Sequence, residues 1–185
     1  MLGDLLNMKK MLVISASVMM AVTACTNATT TENAEVQPTS VEQSVEVPTS
    51  YCEELVTLAE NGNEEAEYKL GMCYYGDGLG VSQDYSKALK WFTRAAEHGN
   101  ADAALCLVVM YGEGKGVSKD ISTAIKWLKQ SAALGNSEGQ LMLAATVYLD
   151  EEGPLYDREE GIRWMRKAAA NGNEIAKAYL KQNNL

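Results

Sequence analysis

Histidine is almost absent from this chain of 185 residues: His98 is the sole example, and the four cysteines, at 25, 52, 73 and 106, form no Cys-x-x-Cys pair. A structural zinc site draws four ligands from closely spaced Cys and His, so no metal is expected, and nothing implies a cofactor. The lone histidine, beside the turn glycine Gly99, has no nucleophile or orienting carboxylate in company and reads as a solvated side chain, not a general base. Basic clusters are also missing, with 16 Lys and Arg against 25 Asp and Glu spread along the chain. Phosphate backbones are held by gathered cations, so a nucleic-acid partner is not expected. The net charge of −9 reads as solubility, or a weak preference for basic partners. Ser-x-x-Lys does not occur, which removes one serine-nucleophile motif, and the one Gly-x-Ser-x-Gly, residues 135–139, falls at the repeated Gly-Asn joint and does not follow a strand as a nucleophile elbow would. No catalytic residue is assigned, and a binding protein is expected rather than an enzyme. What is plentiful is apolar surface: a hydrophobic fraction of 46% supports a core for one ordinary domain.

The apolar run MLVISASVMMAVTA, residues 11–24, follows Lys9 and Lys10 and ends in small residues at Cys25. That is the layout of a secretory signal peptide, too short for a spanning helix. Asp4 spoils an otherwise basic start, which makes Met8 an alternative first residue. Val22-Thr23-Ala24-Cys25 resembles the lipobox of bacterial lipoproteins, which implies removal of residues 1–24 and acylation of Cys25. A plain signal peptide cut nearby and an uncleaved anchor are the alternatives. Several acyl chains on one cysteine exceed the marginal grip of a single chain, so the resemblance implies a lipid-anchored protein facing the periplasm. Thr26 stands where an inner-membrane retention signal would place Asp, which favours the outer membrane. Residues 26–50 contain no aromatic residue and no Lys or Arg. Such a segment cannot offset its ordering entropy, and as a flexible chain it holds the domain about 25–30 Å from the lipid.

The rest repeats every 36 to 37 residues. Gly-Asn recurs at 62–63, 99–100, 135–136 and 172–173, aspartate at Asp84, Asp120 and Asp157, and tryptophan at Trp91, Trp127 and Trp164. Fixed periods of this length signal stacked supersecondary units. Each unit reads as two helices. Asn63, Asn100, Asn136 and Asn173 cap the first, and acids follow at the positive helix terminus. Asp84, Asp120 and Asp157 cap the second, whose buried stripe in the first unit is Ala88, Trp91, Phe92, Ala95 and Ala96. Gly99 and its counterparts close that helix with positive φ. The tryptophans are read as core by their phase, and the runs 76–80 and 112–116 as turns, since neither follows a strand as a phosphate cradle would. Asp150, Glu151, Glu152, Asp157 and Glu159 lack the alternating spacing of a calcium loop.

The pattern Ala66, Leu70-Gly71, Tyr74, Gly78-Leu79-Gly80-Val81, Asp84, Ala88, Trp91, Ala95-Ala96, Gly99 resembles the Sel-one-like repeat, a relative of the tetratricopeptide repeat. The resemblance covers 51–185 and implies an all-α fold, a right-handed α-solenoid of antiparallel helix pairs. It gives repeats at 63–99, 100–135 and 136–172, with cap helices 51–62 and 173–185. Val108 and Ala144 stand where Gly71 does, Val147 replaces the tyrosine and residues 150–154 replace the usual turn, so the third unit is expected to stack differently. Three units with polar caps is about the minimum for a solenoid. Some cysteine-rich relatives carry a β-lactamase or penicillin-binding label, which the missing Ser-x-x-Lys argues against.

Cys52 and Cys73 lie about ten residues before and eleven after Gly62, on antiparallel neighbouring helices, and in an oxidising periplasm they are expected to bridge. Three buried thiols are the alternative. Cys106 falls outside that bridge, on a helix almost without polar residues. If Leu70, Leu107 and Leu143 point into the stack, residues two before and two after lie roughly 200° away. These are Tyr68, Met72, Leu105, Val109, Leu141 and Ala145, extended by Tyr75, Gly112 and Tyr148 at one mouth and by Glu65, Asp102 and Glu138 at the other. First helices line the concave surface of tetratricopeptide-like stacks, so the resemblance implies an apolar groove with an acidic rim, accepting a helix or extended segment of a partner protein. The expected function is a monomeric, membrane-anchored interaction scaffold. The alternative is an immunity protein that neutralises a toxic effector.

Overall fold

The computed structural model describes residues 49–76 and 81–185. The signal peptide, Cys25, the linker and residues 77–80 of the first turn lie outside the described residues. The order is α1 (Thr49–Glu60), α2 (Glu64–Tyr75), α3 (Tyr85–Glu97), α4 (Ala101–Glu113), α5 (Ile121–Ala133), α6 (Ser137–Leu143, running on into a π-helix, Ala144–Tyr148), α7 (Arg158–Ala170) and α8 (Glu174–Gln182). There is no strand among the described residues. Each helix packs chiefly on the next one along the chain, as nearest-neighbour stacking in an α-solenoid requires.

The Gly-Asn dipeptide sets the helix-to-helix joint. Gly99, at φ 102°, donates its N–H to Ala96 O at 3.1 Å, and Asn100 donates to Ala95 O at 2.9 Å. This is the paired bonding of a Schellman C-cap, which satisfies carbonyls that the ending helix leaves open. Asn100 then starts the next helix, its Oδ1 accepting from Ala103 N–H at 2.8 Å. Asn63, Asn136 and Asn173 repeat both roles. Asp84, Asp120 and Asp157 cap α3, α5 and α7 through backbone N–H groups. Two residues thus close one helix and open the next.

Leu70, Leu107 and Leu143 are buried in the stack, as are Ala88, Phe92, Ala95 and Ala96. The three tryptophans are half-buried rather than core. Each packs its ring on a cluster between units while its outer edge meets solvent, with Arg94 over Trp91 and Lys167 over Trp164. Side-chain sizes compensate across the repeats. A Cβ on Gly71 would come within 2.6 Å of the Phe92 ring. Where Phe92 is replaced by Leu128, the facing residue is Val108, packed on the same cluster, and Ala144 shares a cluster with Met165. The departures from Gly71 are therefore fitted to smaller or more pliable partners.

The third unit differs through the π-helix. Asn100 and Tyr111 are eleven positions apart, Asn136 and Tyr148 twelve. The extra residue enters the helix, where Leu149 N–H reaches back five residues to Ala144 O at 2.8 Å. Tyr148, not Val147, thereby takes the place of Tyr74 and Tyr111. All three tyrosine carbonyls accept from the capping aspartates, Asp84, Asp120 and Asp157, at 2.8–3.0 Å. Counting in constant register misassigned this position.

A disulfide joins Cys52 to Cys73, with Cα atoms 6.6 Å apart, and fastens α1 onto α2 inside an apolar cluster with Leu55, Ala59, Ala66 and Leu70. Cys106 is buried on α4, and none of the described cysteines is a free thiol.

Candidate functional site

The expected apolar groove is not open. Tyr68, Tyr75, Leu105, Val109 and Leu141 are all buried, Leu141 at 1% exposure and Tyr68 at 6%. Only Met72, Ala145, Tyr148 and Gly112 of the strip are half-exposed. The cause is the flanking of each first helix by helices on more than one side. Tyr68 packs its ring 6.0 Å from Phe92 of α3 and joins a cluster with Ala103, Ala104 and Leu107 of α4. Leu105 and Val109 meet Leu128 of α5 and Met142 of α6. A helix apolar on all sides, as α4 is, is an enclosed helix rather than a groove floor. Tyr75 is covered at the mouth by the second unit's turn, where Lys115 Nζ donates to its hydroxyl at 3.0 Å.

The acidic rim does form a row. Asn136 Nδ2 donates to Asp102 Oδ1 at 2.6 Å and Asn173 Nδ2 to Glu138 Oε2 at 3.2 Å, so each cap also reaches back to the preceding unit's acid. Desolvation, then the neighbouring Glu65, raises Asp102 above the usual carboxylate range, and desolvation raises Glu138. The Tyr68 phenol, raised by burial and then by Asp102 and Glu65, stays neutral.

A second set of polar residues, unnoticed in the sequence, sits where consecutive second helices meet. Ala59, Ala96 and Ala132 hold equivalent places three residues before the closing glycine, and each offers a carbonyl near its helix C-terminus. At the first joint Arg94 Nη2 donates to Ala59 O at 3.1 Å and lies 2.9 Å from Oε1 of Glu67, which has no exposed surface. His98 Nδ1 stands 2.7 Å from Glu67 Oε2, so His98 is partnered and not merely solvated. At the second joint Gln130 donates to Ala96 O at 2.8 Å. At the third the donor is Gln140, at 3.0 Å from Ala132 O, and Asn171 donates to Gln140 Oε1. Beside it lies a cavity of about 440 Å³ between Ala132, Ala133, Gln140, Trp164, Lys167 and Asn171. The only hint in the sequence was an acid, Glu67, at the phase of Ala104 and Gln140. No group of His, Cys, Asp and Glu among the described residues could hold a metal.

In-register antiparallel helix pairs, closed and opened by the same dipeptide, define a helical-repeat α-solenoid of the kind built for contact with other proteins. The Sel1 repeat model matches residues 64–100, 101–136 and 137–173. The chain belongs to the Sel1 repeat family, whose members generally mediate protein–protein interactions. Among solved structures it is similar to a Sel1 repeat protein from Oxalobacter formigenes. That match is 35% identical, covers 70% of this chain and 96% of that one, and has a TM-score of 0.64. It is also similar to a protective antigen present in uropathogenic Escherichia coli strains displaying an SLR fold. There the identity is 32%, the coverage 71% of this chain and 29% of that one, and the TM-score 0.61. A curated relative, the ERAD-associated E3 ubiquitin-protein ligase component HRD3A of Arabidopsis thaliana, is 44% identical over 41 residues. The match takes in 22% of this chain and only 6% of that protein's length.

Proposed function

We propose that this chain is a membrane-tethered adaptor that binds a partner protein and catalyses nothing itself, held by acylated Cys25 at the periplasmic side of the outer membrane. The observation that carries the reading is the row of Glu65, Asp102 and Glu138, one acid per repeat at a common phase, on a stack of the family's interaction repeats. The partner starts from that row and runs across the first helices, with Met72 and Ala145 as half-exposed apolar contacts further along them and Tyr148 at the far mouth. Basic side chains on the partner meet the carboxylates, and such complementarity sets on-rate and register more than affinity.

A photo-crosslinker placed at position 105 or 138 of the full chain in intact envelopes tests this. A discrete protein adduct is expected at 138, lost in the Asp102→Lys variant, and none at the buried 105. Equal adducts at both positions, or an adduct at 138 indifferent to Asp102→Lys, would sink the row as the binding surface. Cys25→Ser should abolish acyl labelling, and persistent labelling would remove the anchor.

A further inference from the structure

We infer that the cavity at the third joint is a carboxylate-binding site, completed by an acidic group of a partner. The inference goes beyond the adaptor reading and needs no partner to be known. The repeats themselves supply the comparison. Arg94, Gln130 and Lys167 occupy one phase, each three residues after the unit's tryptophan. In the first joint the cation lies over Trp91 at 4.9 Å, donates to the carbonyl of Ala59 and faces the carboxylate of Glu67 from the same unit. In the second joint the position is neutral, and Gln130 is used up by Ala96 O.

The third joint keeps the cation and drops the acid. Lys167 Nζ sits 3.8 Å from the centre of the Trp164 ring. The residue at the phase of Glu67 is Gln140, and Gln140 has already taken the Ala132 carbonyl. The ammonium is thus freed from the backbone and left without the counter-charge that the first joint contains, at the edge of a cavity of about 440 Å³. Trp164 Nε1 is buried and has no acceptor among the described residues, a condition that native interiors rarely leave unanswered. The cavity is of the size that holds small ligands, with alanine walls and a cation at one side. A carboxylate on a short apolar stem matches all of this, its charge paired as Glu67 pairs with Arg94. α7 itself carries Arg158, Arg163, Arg166 and Lys167 against Glu159 and Glu160, with Arg163 paired to Glu160, so Lys167 sits on a helix with a small excess of positive charge in an otherwise acidic molecule. The carboxylate comes from the C-terminus of a partner chain or from its Asp or Glu side chain.

The three tryptophans give three indole N–H signals in a nitrogen-15 NMR spectrum of the full chain, that of Trp164 identified by Trp164→Phe. Three probes are titrated: acetylated Ala-Ala with a free C-terminus, the same dipeptide amidated, and acetylated Ala-Glu amidated. Saturable shifts of the Trp164 signal are expected with one or both carboxylate probes and not with amidated Ala-Ala, and the tighter of the two names the source. Lys167→Met should weaken binding roughly tenfold. The double variant Gln140→Glu, Lys167→Arg copies the first joint and should abolish binding while the protein melts no lower. Binding of the amidated probe, no binding of either carboxylate, or unchanged binding by the double variant overturns the site. None of these results depends on whether position 138 crosslinks a partner, so failure here and failure of the adaptor reading are distinguishable.

Discussion

Glu67 carries a carboxylate into the interior of the first joint and survives there because two groups of α3 meet it, Arg94 from one side and His98 from the other. Both partners keep contact with solvent, so neutralising the acid costs less than breaking a fully enclosed pair. Glu67→Gln is expected to lower stability by roughly 1–3 kcal/mol, read by urea denaturation, with no comparable loss for Lys69→Gln on the exposed pair with Glu65. Two aspartates give opposite pH signatures. Asp102 holds its proton in the folded protein at a pH where the unfolded chain has lost it, so its contribution to stability declines as pH rises through that window. Asp120, brought down to about 2 by hydrogen bonds from Ser122 and Thr123, contributes above its unfolded value and loses that contribution as pH falls through about 2. Asp102→Asn should therefore flatten the gain in stability on acidification from neutrality, and Asp120→Ala should flatten the loss at the acid end. Denaturation midpoints of the two variants across pH check both signs, and a steeper acid gain in Asp102→Asn would refute the first.

At the scale of the helix, the sequence was most legible where the interaction is local. Asn Oδ1 bonds a backbone N–H three residues on, and the glycine before it bonds within its own last turn, so Gly-Asn fixes both boundaries without reference to the rest of the fold. The closure of the binding strip was not legible, because whether Tyr68 or Leu105 meets water depends on how closely the next unit's helix approaches. For Tyr68 that approach is set by Ala103 and Ala104 of the next repeat, and for Leu105 by Met142 and Leu143 of the one after. The π-helix was hidden for a related reason: an extra residue inside a helix leaves the phase of its ends intact, and only the register of Tyr148 against Asp157 exposes it. Enclosure has a direct consequence. Tyr68→Ala should cost roughly 3–5 kcal/mol, in the range of large aromatic truncations, and Leu105→Asp should leave the domain unfolded or molten by near-ultraviolet circular dichroism. Exposed-strip behaviour, in which both variants melt within a degree or two of the parent, would mean that the first helices are not enclosed.

Across the whole molecule the joints are unequal, and a solenoid exposes such inequality because each unit is held only by its neighbours. The first joint has the Cys52–Cys73 bridge, the buried Glu67 with its two partners, and the closely fitted Gly71 and Phe92. The third has a π-helix, a cavity and a bulged turn at 150–154, and beyond it α8 buries fully only Ala176. Local opening should therefore begin at the C-terminal end and propagate towards α4, with α2 to α5 opening last. The bridge spans 21 residues, and closing a loop of that length contributes about 3 kcal/mol by restricting the unfolded chain. Hydrogen exchange followed by mass spectrometry should show α7 and α8 exchanging first in the oxidised protein. In a Cys52→Ala variant α1 should join them, while the rates in α7 and α8 stay unchanged, because among the described residues α1 packs on α2 and α8 on α7, with the intervening helices between the two ends. If α7 and α8 were instead as protected as α4, or if loss of the bridge sped exchange equally along the chain, the stack would be one cooperative unit and the ranking of its joints would carry no energetic weight.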